Sequence, residues 1–247
     1  MAHIILPFEW KGVTFHVDLS RGLCIAIALD HTHPQPNAFF APLYEATPHK
    51  VGEWIGDTRE DSPVNFFNLR INPHGNGTHT ECVGHITKER YSVHETLADG
   101  FWVAQLISVY PSHRDDGDRV IDQLEWEKGI DAIIIRTIPN HPDKLFRQYG
   151  NSNPPYLDAA LAGKMADANI LHLLLDPPSV DREEDGGTLA AHRAFWQYPE
   201  APRFNATITE MVYIDNVIPD GLYLLQIQIP ALELDASPSR PYIYPLR

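Results

Sequence analysis

Short apolar runs separated by turn residues dominate the chain, and helical spacing of apolar positions is confined to a few stretches. Residues 3–6, 13–19 and 23–29 read as strands. In the second, Phe15, Val17 and Leu19 alternate with His16 and Asp18, the pattern of a half-buried strand. In the third, positions 24–29 are continuously apolar, which predicts a buried strand with Cys24 in the core. Residues 30–63 follow no period and carry Phe39, Phe40, Tyr44 and Trp54 among several prolines, as a long connection that walls a pocket would. Further strands are predicted at 64–71, 101–109, 131–137, 169–176, 206–214, 222–229 and 242–246.

Helices are predicted at three places. Val120, Ile121 and Leu124 share a face over 119–128. Over 155–168, Leu157, Leu161, Met165 and Ala168 follow helical spacing behind an Asn153 cap. The third helix runs from a Thr188 cap through Trp196 and carries His192. Strands alternating with helices, with no internal repeat, argue for a single α/β or α+β domain over residues 1–247.

Charge narrows the range of partners. Nineteen Lys and Arg against 33 Asp and Glu give a net charge of −14, which disfavours nucleic acid and anionic membranes. Cys24 and Cys82 are too few for a disulfide scaffold and fit a reducing compartment. No stretch approaches the ~20 apolar residues of a membrane-spanning helix, and the first ten residues lack a signal-peptide pattern. A cytoplasmic protein is expected.

The densest chemistry lies in residues 72–86, where His74, His79, His85 and Glu81 stand among Gly75, Gly77 and Gly84. Imidazole and carboxylate are the donors that zinc and similar divalent ions prefer. In an extended backbone His79 and Glu81, two apart, point to one side, and the glycines allow the turns that bring the other histidines in. Elsewhere, Glu210 is a carboxylate in apolar, strand-like surroundings and needs a partner. His172 reads as a hydrogen-bonded core histidine, Cys82 beside the cluster as either a small buried residue or a soft ligand, and His31 and His33 as loop residues more readily than as ligands.

Taken together these residues resemble the cyclase-type metal hydrolases, the family that includes kynurenine formamidase and isatin hydrolase. His79 and Glu81 match the second histidine and the acid of its His-x-Gly-x-His-x-Asp-x-Pro-x-x-His stretch, and His85 stands for the last histidine, one residue nearer the acid. Gly56-Asp57-Thr58, the run from Asp176 to Asp181 (Asp-Pro-Pro-Ser-Val-Asp), and the ending Leu234-Asp235-Ala236-Ser237-Pro238-Ser239-Arg240-Pro241 are similar to other family motifs, in the same order. The sequence departs from the pattern at Glu81, where Asp is usual, and at Cys82-Val83-Gly84, where the proline is missing. One extra residue separates His74 from His79, and apart from Gly56-Asp57-Thr58 the segment 30–63 fits the family poorly.

The resemblance implies a swivelling β/β/α fold and a homodimer or homotetramer. It implies one ion held by His74, His79 and Glu81, and a second position completed by His192 and Glu210 with Glu81 bridging. His85 would be the acid/base group. The ion would be zinc, or manganese as the alternative, with one or two per chain, and the reaction hydrolysis of a small linear N-formyl or cyclic amide. Two other readings stay open: a non-catalytic small-ligand or metal-binding protein on the same fold, and a closed metal site that serves structure alone.

Overall fold

The protein is described here from a computed structural model covering residues 4–98 and 100–247. Its framework is a nine-stranded mixed sheet in the spatial order 236–238, 79–82, 207–210, 172–175, 132–137, 102–109, 221–226, 242–245 and 23–24. Thr207–Glu210, His172–Leu175, Ala132–Thr137 and Trp102–Val109 run parallel, and their neighbours on either side are antiparallel. The continuous run Ile133-Ile134-Ile135 follows from burial on both faces of a central parallel strand.

Side-chain alternation divides the core into two layers. Ile133, Ile135, Leu173, Leu175 and Ile208 face the helices Ala159–Asp167 and Ala190–Trp196, which supply Leu161, Met165, Phe195 and Trp196. Ile134, Leu174, Ala104 and Leu106 face the other way, onto Ile25, Val212, Ile214 and Leu225. Among the described residues three two-stranded ribbons and a small three-stranded sheet lie outside the main sheet. Ile5–Trp10 pairs with Val13–Asp18 through a turn at Lys11-Gly12, both with positive φ, and Glu45–Pro48 pairs with Phe67–Arg70.

The expected α/β class and most expected strands are present, and several local expectations are corrected. The first strand is Ile5–Trp10 rather than 3–6, of which residue 3 lies outside the described residues. Only Leu23–Cys24 is strand within 23–29; beyond it Ile25 and Ile27 are buried, while Cys24 is exposed at the sheet edge. Residues 119–128 are not helical: Arg119–Ile121 pairs with Ser112–His113 and Tyr156–Leu157, so strand pairing buries Val120 and Ile121. That pairing also takes the first turn of the expected 155–168 helix. The helix starts at Ala159, where the Asp158 carboxylate, not Asn153, accepts from the amides of Ala160 and Leu161. Residues 64–71 form the exposed strand Phe67–Arg70 of a ribbon rather than part of the main sheet.

Replacing a side chain buried between layers removes its packing and leaves a cavity. Ile134→Ala is expected to cost about 2–5 kcal/mol of stability in urea denaturation, whereas Cys24→Ser at the exposed edge should change it by about 0.5 kcal/mol or less. Equal losses at the two positions would contradict this division of core and edge.

Candidate metal centre

Sheet register assembles the buried half of the site. His79–Cys82 pairs with Thr207–Glu210 so that His79 lies opposite Glu210 and Glu81 opposite Ile208, which puts all four on one face. The other face is closed by Thr80 and Thr209, whose hydroxyls lie 2.8 Å apart. Ala236–Pro238 pairs with the far edge of the same strand and brings Asp235 to its end. Before the strand, Gly77 takes φ +84°, and after it a Cβ on Gly84 would lie 2.3 Å from the Tyr91 carbonyl oxygen, so glycine is required for the turn that carries His85. The helix Ala190–Trp196 delivers His192. Leu189, not Thr188, is its N-cap, and the side chain that caps it is Asp181, which accepts from the amides of Ala191 and His192.

All six residues expected from the sequence meet in one cluster. Glu81 is central: Oε1 lies 3.0 Å from His192 Nε2, and Oε2 lies 3.1 Å from His74 Nδ1 and 4.0 Å from His85 Nδ1. His79 Nε2 lies 3.3 Å from Glu210 Oε2. His79, Glu81, Glu210 and His192 are buried, whereas the side chains of His74 and His85 are 25% and 29% exposed and form the open side. Two groups of donor atoms lie close enough to share an ion: His79, Glu81 and Glu210, and His74, Glu81 and His85. These groups cut across the expected division, because His79 sides with Glu210 rather than with His74. His31 and His33 stay outside, with His33 bonded to Asp30. His172 is a core histidine, its Nδ1 2.9 Å from the Thr207 hydroxyl, and burial lowers its pKa to about 3.

Two carboxylates complete the cluster that were quoted within motifs without a role. Asp181 Oδ2 lies 2.5 Å from His192 Nδ1, and Asp235 Oδ2 lies 3.0 Å from His74 Nε2 and 3.3 Å from His85 Nδ1. Asp181 belongs to the run after the strand His172–Leu175, and Asp235 directly precedes Ala236–Pro238. Their acidic character was legible, but the pairing with particular imidazoles is set by register across distant segments.

These outer contacts fix which ring nitrogen faces inward. A carbonyl only accepts, so the 3.0 Å contact with Gly77 makes His79 Nδ1 the donor and leaves the lone pair on Nε2. Asp181 imposes the same orientation on His192, whose Nε2 then faces Glu81. His79 Nε2 is buried without a hydrogen-bond partner among the described residues, and Glu81 Oε2 gains one from His74 Nδ1, 3.1 Å away, only when that imidazole carries both protons. Lone pairs thus converge on lone pairs at about 3 Å, an arrangement that needs protons or a cation between them. Imidazole nitrogens and carboxylate oxygens form a donor set suited to a divalent ion, and the residues fit one.

The metal-free cluster meets the same requirement with protons. Burial opposes a charged His74, yet hydrogen bonds to Asp235 and Glu81 outweigh it and raise the imidazole to about 10. His192 is likewise raised to about 10, by Asp181 and Glu81 against burial. Burial works against ionised Glu81 too, but the imidazoles of His85, His192 and His74 hold its carboxyl well below the usual range. Hydrogen bonds from His74 and His85 hold Asp235 down in the same way.

The fold and cluster define an α/β protein with a preformed imidazole–carboxylate centre, and comparison with known proteins is consistent with that class. Residues 17–182 match the family model described as "Putative cyclase", more than half of the chain; the chain belongs to this cyclase family. Kynurenine formamidase of Bacillus cereus is 23% identical over 208 residues, covering 80% of this chain and 93% of the relative. That of Bacillus cytotoxicus is 25% identical over 214 residues, covering 80% and 93%. Among solved structures, a "predicted metal-dependent hydrolase" from Bacillus stearothermophilus superposes with a TM-score of 0.63 at 17% identity, covering 91% of this chain and 98% of its own. An isatin hydrolase bound to the product analogue thioisatinate gives 0.57 at 13%, covering 87% and 89%. The expected family and fold are both borne out.

Two predictions follow from the protonated cluster. His74 and His192 rise from 6.5 to about 10 on folding, so their contribution to stability is complete below about 6.5 and is lost as pH climbs through about 10. Urea denaturation of metal-free protein should therefore show stability falling over that interval; a flat or rising profile would contradict the assignment. Zinc binding near pH 8 should release about two protons, read from the buffer dependence of the calorimetric enthalpy. Uptake without proton release would mean that the ion binds elsewhere.

Proposed function

We propose that this chain is a metal-dependent hydrolase that cleaves the C–N bond of a small N-formyl or cyclic amide. The observation that carries the reading is the buried convergence of His79 Nε2, Glu81 Oε2 and Glu210 with no proton donor between His79 and the carboxylates. The names of the relatives supply the reaction class: the curated relatives are kynurenine formamidases, and the structural neighbours include isatin hydrolase. His74, His79, Glu81, His192 and Glu210 would hold the ion or ions, with Glu81 shared between the two donor groups. The nitrogen-rich donor set favours zinc, with manganese the alternative.

When bound, a divalent ion supplies Lewis acidity and lowers the pKa of water to about 7. The chain's own residues provide the rest. An amide nitrogen is a poor leaving group until protonated, and His85 stands on the open side to protonate it. Asp235 accepts from His85 Nδ1, leaving Nε2 as the atom that exchanges a proton with substrate. The His85 ring lies over that of His74, with centroids 4.3 Å apart, which limits its rotation. Segment 30–63 is proposed as a wall of the substrate pocket. Support comes from its contacts with the histidine loop, where the Ala38 amide donates to Gly75 and the Asn76 side chain donates to the Pro42 carbonyl. A homodimeric or homotetrameric state belongs to the same proposal; exposed Phe40, Phe66 and Leu69 are apolar surface that assembly would cover.

Zinc-loaded protein is expected to hydrolyse formanilide or isatin. His85→Ala should lower kcat by about 10²–10⁴ while keeping the metal, and Glu81→Ala should lose metal and turnover together. A His85→Ala protein that loses an equivalent of metal would make His85 a ligand instead. Tight amide binding without hydrolysis in the loaded wild type would favour a binding protein on this fold.

A further inference from the structure

A cavity opens at the carboxyl ends of Trp102–Val109, Ala132–Thr137 and His172–Leu175, the region of a parallel sheet where ligands gather. It has a volume of about 470 Å³, within the range of small-molecule sites, and none of the six clustered residues lines it. Its walls include Tyr110, Ile138, Pro139 and Tyr149. Tyr149 is buried, and the Arg147 guanidinium lies 5.7 Å from its ring centre.

The charge of this cavity runs against that of the protein. Asp176 is the one carboxylate lining it, and that group is committed: it accepts from Lys144 Nζ at 2.5 Å and from the Thr137 amide and hydroxyl. Lys144 is committed in turn, with further bonds to the Thr137 carbonyl and the Asn140 side chain. This buried pair fixes the cavity floor and neutralises itself. Arg119 and Arg147 remain at the walls, with His113 and His141 beside them. Arg119 donates through Nη2 to the Asn153 carbonyl, whereas Arg147 is ion-paired with Asp143 through Nε and Nη2 and keeps its Nη1 donors. Each guanidinium therefore keeps donors for a ligand. In a chain of net charge −14, two arginines with open donors beside aromatic and proline walls form a site for an anion with a flat apolar body.

We propose that this cavity binds a small aromatic carboxylate, separately from the metal centre. The carboxylate would bridge Arg119 and Arg147, and the ring would lie among Tyr110, Tyr149 and Pro139. The segment that forms part of the cavity wall at Asp176-Pro177 also reaches the centre. Its Val180 amide donates to Glu210 at 2.8 Å, and its Asp181 holds His192.

Calorimetric titration with benzoate, and with benzamide as its neutral counterpart, tests this on metal-free and zinc-loaded protein. Benzoate should bind one site in wild type and equally in His79→Ala, with benzamide about tenfold weaker or more. Arg119→Gln combined with Arg147→Gln should weaken benzoate by about tenfold or more, and Arg147→Lys by less, because it keeps the charge but not the fork. Circular dichroism and zinc stoichiometry unchanged in these variants would exclude a folding defect. Equal affinity for the two ligands, absence of binding, or benzoate binding abolished by His79→Ala and untouched by the arginine variants would overturn the proposal. The last result would place the ligand at the metal centre.

Discussion

The structure depends on a carboxylate, Glu81, held in the sheet with no access to water. A buried ionised carboxylate is tolerated only when cations or strong donors surround it. Glu81 meets that condition by facing three imidazoles, with Glu210 brought alongside through His79 and His192. Because the inward nitrogens of His79 and His192 are turned into acceptors by Gly77 and Asp181, the centre is built to be completed by positive charge. In the metal-free protein that charge is protons on His74 and His192.

That requirement accounts for the unusual local sequence. A strand edge alone could place His79 and Glu81 on one side, but His74 and His85 must turn back over its two ends. The glycines at 77 and 84 permit those turns, one through its positive φ and the other through its contact with Tyr91. Across the sheet, antiparallel register sets Glu210 against His79. A shift of one residue would send Glu210 to the face occupied by Thr80 and Thr209. The helix bearing His192 is pinned at its start by Asp181, the residue that also orients the imidazole, so helix position and ring orientation are fixed together.

Much of this was legible in the sequence, for physical reasons. The His-rich run combined donors with turn glycines, and the buried parallel strands carried unbroken apolar runs. Glu210 in apolar surroundings advertised a missing partner. What the sequence hid was pairing at a distance. Positions 24–29 read as core because all are apolar, but edge placement exposes Cys24. Val120 and Ile121 fit a helical face as well as a strand, and only their neighbours at 112–113 and 156–157 decide the matter. Asp235 and Asp181 look like ordinary motif acids until the fold lays them against His74, His85 and His192. The Arg119 and Arg147 cavity had no local signature, since its residues are gathered from several strand ends.

The most direct test of the central claim is the metal content per chain, by elemental analysis, of protein purified without added metal or a histidine tag, with His79→Ala alongside. The account predicts about one to two equivalents of a divalent metal in the wild type, set by the two donor groups, and loss of metal in the variant. Wild-type protein that carries no metal and takes none up on reconstitution, or a His79→Ala protein that keeps the full complement, would contradict it.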